Sequence, residues 1–382
     1  MSAVTDNKSH IAEAEPWRCS DLTSMALRAA RWPLSMVTVL NHVIEPDVVA
    51  TSACAYNLTD YPAVQSAIAV ADAFTRGFAI PAFFLISGYL FVNGLQQLTA
   101  AIYRDKLRRR VNTLLVPYLL WNAIALIVAI ALTLPPLADY LPGRADYYYS
   151  VRSCIWGFVG IKPGNYWPHD GSLWFVRDLM IAVALMPLGY RLLRRCGALM
   201  MAVLALFWLW AYTYVPNSYA GFISPALMFF YGGAYLNMRR VDIGSLSRRA
   251  LPYAAVAYVA LAALCMALAD GYPRLTAMVH NINLVVFIVL AIGLSAWAVS
   301  RFTFRHLKFW ASVSFFVYAA HVIIFYFYKP LVFSIIAPHT DVEVLLTLIA
   351  VYVSIGALLP LLYAALRRLC PAALAVLTGG RR

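Results

Sequence analysis

KLRRRVNTLLVPYLLWNAIALIVAIALTL, residues 106–134, decides how the rest of the chain is read. Lys106, Arg108, Arg109 and Arg110 crowd its start, and no charged residue follows between Val111 and Leu134. A helix crossing the hydrocarbon core needs roughly 20 mostly apolar residues. This stretch is long enough, and its cations would anchor one end at a headgroup layer.

The same grammar recurs along the chain. Apolar runs between charge clusters fall at about 29–47, 66–93, 112–134, 172–193, 198–214, 219–238, 250–269, 279–299, 309–329 and 342–366. The expected fold is all-α: a polytopic membrane protein of about ten transmembrane helices. The first run is the most polar, since it holds Asn41, His42 and Glu45. Composition agrees. The 382 residues are 63% hydrophobic and 12% charged, against about 25% charged in an ordinary soluble domain.

The net charge of +13 could suggest nucleic acid. Its distribution argues against that, because the cations alternate from loop to loop. With a cytoplasmic N-terminus, 23 Lys and Arg fall in inner segments and 5 in outer ones, while Arg76 and Arg177 lie within spans. This bias predicts both termini inside. The polar start, MSAVTDNKSHIAEAEPWRCSDLTS, has no apolar core and does not read as a cleaved signal peptide. The expected organisation is a cytoplasmic tail at 1–27, a membrane domain at 28–370 and a cytoplasmic tail at 371–382, in a bacterial inner membrane. The outer loop near 135–171 carries Tyr147, Tyr148, Tyr149, Trp156, Tyr166 and Trp167. These suit an interfacial belt or stacking on sugar rings. Cys54 and Cys154 both fall in outer loops, where a disulfide is chemically permitted.

Ionisable groups inside a bilayer are expensive, about 2.5–3.5 kcal/mol each, so each one is a candidate for function. Arg31 opens the first span, and His42 lies three helical turns on, roughly 16 Å higher on the same face. An outer polar layer gathers His42, Glu45, Asp72, Arg76, Arg177, Asp178 and His321. An inner layer holds Arg28, Arg31 and the cluster from Arg104 to Arg110, including Arg109. Histidine beside carboxylate is general-base equipment. Clustered arginines suit a phosphorylated, anionic donor. Each feature also has a structural reading: cations that set topology, Asp72–Arg76 as a self-satisfied pair, His321 as helix packing. The layering predicts that a basic donor-side mouth and His42 share one cavity.

Five motifs in order resemble the integral-membrane acyltransferase family 3. They are RWPLSMVTVLNH (31–42), RGFAIPAFFLISGYL (76–90), KLRRRVNTLLVPYLLW (106–121), GSLWFVRDL (171–179) and SVSFFVYAAHVIIFY (312–326). The first is similar to the family's Arg-to-His element, whose histidine is taken as catalytic. The second is similar to its Arg…Pro-x-Phe-Phe-x-x-Ser-Gly-Tyr stretch. Lys106-x-x-Arg109 stands where the family has Arg-x-x-Arg. The resemblance implies acyl transfer, usually acetyl, from acyl-CoA to a hydroxyl of a surface saccharide, with no permanently bound cofactor. It makes His42 the base, Glu45 or Asp72 with Arg76 its supports, and Arg28, Arg31, Arg109 and Arg110 the donor-binding residues. Trp174, Arg177, Asp178 and His321 fall to the acceptor. Any second transfer step would need a periplasmic partner enzyme. The competing readings were a lipid or saccharide exporter and a noncatalytic scaffold; lack of an inverted repeat weighs against the exporter.

Overall fold

Proline and glycine punctuate the apolar runs and set where helices begin and bend. The computed structural model describes residues 16–45, 49–50, 55–135, 137–140, 151–161 and 165–380. Its helices are α1 (Asp21–Ala29), α2 (Arg31–Val43), α3 (Pro62–Thr75), α4 (Ala79–Val92), α5 (Ala100–Arg110), α6 (Val116–Ala131), α7 (Leu137–Tyr140), α8 (Val151–Val159), α9 (Trp174–Ala184) and α10 (Met186–Tyr214). They continue with α11 (Tyr219–Met238), α12 (Ile243–Leu268), α13 (Pro273–Arg301), α14 (Leu307–Ile336), α15 (Asp341–Leu369) and α16 (Pro371–Leu377). The described strands are a two-residue antiparallel pair, Val49–Ala50 with Ala55–Tyr56.

The burial pattern is that of a membrane protein turned toward lipid. On α10, Leu199, Val203, Leu206 and Trp210 form an i, i+4, i+7, i+11 stripe and are each more than half exposed. The interior instead buries Asn122, Asp170, Asp178, Asn281, Asn283 and His321, all at 0% exposure. A water-facing protein would invert this arrangement. The chain is therefore a polytopic all-α membrane protein.

Seven helical stretches are long and apolar enough to cross a membrane: Pro62–Val92, Ala100–Ala131, Met186–Tyr214, Ile243–Leu268, Pro273–Arg301, Leu307–Ile336 and Asp341–Leu369. The other three expected runs coincide with α2, α9 and α11. These are short, or rich in Tyr, Gly and Ser. Helix α11 is wedged among α4, α9 and α10, so its surface meets protein and need not be strongly apolar. Within Met186–Tyr214 the chain turns at Cys196 (φ −141, ψ 44), close to the break the sequence placed between Leu193 and Ala198. The run at 66–93, expected as one helix, is broken at Arg76 and Gly77, where φ is +75. Freed carbonyls there find side-chain donors: Tyr258 donates to Phe74 O, and Asn41 Nδ2 donates to Thr75 O at 3.0 Å. A break at membrane depth survives only with such partners.

Glycine sets how close α4 and α11 lie. A Cβ on Gly88 would sit 1.8 Å from Phe230 O, and one on Gly233 would sit 2.0 Å from Leu85 O. Small residues at membrane helix crossings allow this backbone approach. Helices α1 and α16 both bond to the rest of the bundle. Thr23 on α1 donates to Asp242 and accepts from Gly244 N at 3.0 Å. Trp121 Nε1 donates to Leu377 O at 3.0 Å. Cys154 is half-buried on α8; Cys54 and Tyr147, Tyr148 and Tyr149 lie outside the described residues.

Candidate active site

The site begins at the basic end of the bundle. Arg31 is the first residue of α2, and Arg110 is the last of α5. A π-helical turn, Val111–Leu115, follows Arg110 directly. Such turns shift helix register locally and recur at functional sites. Arg31 and Arg110 line a cavity of about 190 Å³ together with Ser35, Ser87, Phe83, Phe175, Ser314 and Tyr318. Among the described residues, no carboxylate pairs with either guanidinium. Two unneutralised arginines in one cavity favour an anion there. The structure separates them from the other two arginines of the expected set. Arg28 and Arg109 are exposed, and Arg109 Nε donates back to Asp105 O at 3.3 Å. Neither lines this cavity.

From Arg31 the polar line runs along α2, which packs on α14. Ser35 Oγ donates to Ser314 O at 3.1 Å, a separation of 279 residues. One heptad further on, the same offset brings His42 to His321, with ring centroids 5.0 Å apart. The two helices are thus parallel and in register. His42 Nδ1 lies 2.9 Å from Glu45 Oε1. This carboxylate fixes the ring and leaves Nε2 as the free nitrogen. His321 is fully buried. Its Nδ1 is 3.1 Å from Val317 O, within the same helix, while its Nε2 has no described partner. Lys329, also buried, donates from Nζ to Glu45 O at 3.3 Å.

Tyr318 touches both ends of this line. Its ring lines the arginine cavity and lies 6.0 Å from the His321 ring, centroid to centroid. Its hydroxyl donates to Ser172 O. His42 stands beyond it and is not in the lining. Helix α14 presents Ser314, Tyr318 and His321 along one face, and the loop before α9 supplies the acceptor for the Tyr318 hydroxyl.

Asp72 and Arg76 form the expected i,i+4 pair, with Arg76 Nη2 2.5 Å from Asp72 Oδ2. Arg76 is half exposed, and it is Glu45, not Asp72, that holds His42. Beside them the His280 ring stacks on Phe78 at 4.8 Å. The residues expected on the acceptor side bond within the protein. Arg177 Nε donates to Asp178 Oδ1 at 2.7 Å, and Nη1 donates to Gly160 O and to Tyr166 O, the latter at 2.7 Å. The guanidinium thereby clamps the loop before α9 to that helix and faces the Tyr219 ring at 5.4 Å. Trp174 joins Trp167 and Phe222 in an aromatic cluster, at 6.3 Å and 5.4 Å between centroids.

Sequence reasoning missed Asp170, Tyr318 and Lys329. Asp170 caps the turn before α9, accepting from Ser172 N at 3.2 Å and Ser172 Oγ at 2.7 Å. Burial lifts its carboxyl to about 7, although the Ser172 bonds hold it down. An Asp two residues before a Ser, ahead of a helix, is a local capping signal; its complete burial is not. Tyr318 sits within the quoted late motif but gave no charge to notice. Lys329 looked like an outer-loop cation.

A half-buried histidine–carboxylate pair in line with a basic cavity suits a membrane-embedded group-transfer enzyme. The family is then settled by comparison: the acyltransferase domain family matches residues 39–366, and the chain belongs to it. It is an acyl-transferring enzyme, which decides against the exporter and scaffold readings. The chain is 28% identical over 328 residues to the succinoglycan biosynthesis protein ExoH of Rhizobium meliloti (strain 1021), covering 79% of each. No solved structure matches it.

Proposed function

We propose that this enzyme takes an acyl group, acetyl in the simplest case, from acyl-CoA at the basic end of the bundle. It delivers the group to a hydroxyl of a cell-surface saccharide at the other end, across a bacterial inner membrane. Acyl-CoA is here a donor substrate and not a resident cofactor. The likeness to a succinoglycan biosynthesis protein supports the saccharide.

The carrying observation is the line from Arg31 to His42. Arg31 and Arg110 meet the CoA phosphates or the thioester oxygen as it gains charge. His42, oriented by Glu45 on Nδ1, accepts the acceptor hydroxyl's proton on Nε2. The hydroxyl oxygen attacks the thioester carbonyl, and CoA leaves as the thiol. Tyr318, which lines the donor cavity and neighbours His321, flanks the space where thioester and acceptor meet. A partner enzyme beyond the membrane completes any second transfer. The reading is tested by reconstituting the protein with acetyl-CoA and oligosaccharide and measuring free thiol and saccharide mass. Release of thiol with a matching gain in saccharide mass is expected; no donor turnover would refute it.

A further inference from the structure

A second basic crevice lies away from this site, on the lipid-facing side of α12 and α13. Gly293 lets the two helices touch: a Cβ there would sit 2.6 Å from Ser247 O. Arg248 is the next residue on α12. On α13, Trp297, Ser300 and Arg301 follow Gly293 at i+4, i+7 and i+8, which places them on one helical face. Arg248, Trp297, Ser300 and Arg301 line a crevice of about 390 Å³. Among the described residues, neither guanidinium has an ion-pair partner.

The surroundings are apolar and open. Trp297 is 43% exposed, with Leu246, Val256 and Leu294 exposed along the same two helices. A tryptophan at this level marks the headgroup region, with acyl chains beside it. A cation that only sets topology needs no crevice and no partner across a helix seam. Here two helices bring one arginine each to one concavity, with a ring as its wall.

We infer that this crevice holds the phosphate of an anionic phospholipid from the leaflet at the basic end. Arg248 and Arg301 receive the phosphate oxygens as charge-assisted hydrogen bonds. The acyl chains lie against the exposed apolar residues of α12 and α13. An inorganic phosphate would meet the same guanidinium groups without the apolar flank.

The test uses the full-length protein in detergent. Native mass spectrometry and thermal melting are followed as phosphatidylglycerol, phosphatidylcholine or inorganic phosphate is added. Phosphatidylglycerol is expected to be retained about tenfold better than phosphatidylcholine and to raise the melting temperature. Arg248→Gln with Arg301→Gln should remove that preference, whereas Arg367→Gln with Arg368→Gln, an exposed pair elsewhere, should preserve it. Equal retention of both lipids would overturn the inference. So would equal loss in the two double variants, or protection by inorganic phosphate as strong as by phosphatidylglycerol. If the first double variant does not fold, Ser300→Glu, which sets a carboxylate in the crevice, should remove the preference instead.

Discussion

His42 and His321 face each other with ring centroids 5.0 Å apart, one heptad above the Ser35–Ser314 hydrogen bond between the same two helices. Register therefore brings His321 beside the candidate base, with Nε2 unpaired in a fully buried setting. Replacing His42 by Ala should lower acyl transfer by about 10²–10⁴-fold, the range for a general base. Glu45→Gln, which keeps a hydrogen-bond partner, should lose less. The check is turnover at matched protein levels with unchanged size-exclusion profiles; wild-type rates in His42→Ala would remove it from the mechanism.

The arginines separate into two groups. Arg31→Gln and Arg110→Gln should each raise the KM for acyl-CoA, by about tenfold for a loss near 1.4 kcal/mol. Arg109→Gln should leave it unchanged, since Arg109 is exposed and turned to Asp105. Donor titrations on the three variants distinguish the positions, and equal effects would contradict the cavity's assignment.

Gly88 and Gly233 are contact points of α4 with α11. Alanine at either position forces backbone apart, since the new Cβ would sit at 1.8 Å or 2.0 Å from a carbonyl oxygen. Destabilisation of about 3 kcal/mol is expected, at the upper end for overpacking. Thermal melting in detergent measures it, and a neutral Gly88→Ala would argue against the close crossing.

Arg177 ties Gly160 and Tyr166 to α9. Arg177→Gln should release this loop and leave Asp178 buried without its cation. The segment at 151–170 should then be cut faster by protease from the outer face. Unchanged cleavage would return Arg177 to a substrate role.

Asp170 gives a pH dependence. Its carboxyl is raised to about 7 by burial, with Ser172 bonds opposing, so the folded protein binds its proton more tightly than the unfolded chain does. The unfavourable contribution is absent below the ordinary carboxylate pKa and grows as pH rises to about 7. Stability should therefore fall as pH rises from the ordinary carboxylate range to about 7. Asp170→Asn keeps the acceptor for Ser172 and should flatten that dependence. A variant with the same pH profile as wild type would show that Asp170 does not carry it.

Hydropathy and charge in the sequence alone determined the membrane fold, because bilayer thickness fixes how long an apolar run must be and cations mark its ends. Five ordered motifs carried the family, and the spacing from Arg31 to His42 put a cation and the candidate base at opposite ends of one helix. Tertiary structure decided what needs an angle between helices. Glu45 rather than Asp72 holds His42, because α3 ends at Arg76 and pairs there with itself. Arg110 rather than Arg109 enters the cavity, at the junction with a π-helical turn that no composition signals. Tyr318 is held beside the loop before α9 because its hydroxyl meets a carbonyl 146 residues away. Local runs of residues encode length and polarity; the register between distant helices comes only from their packing.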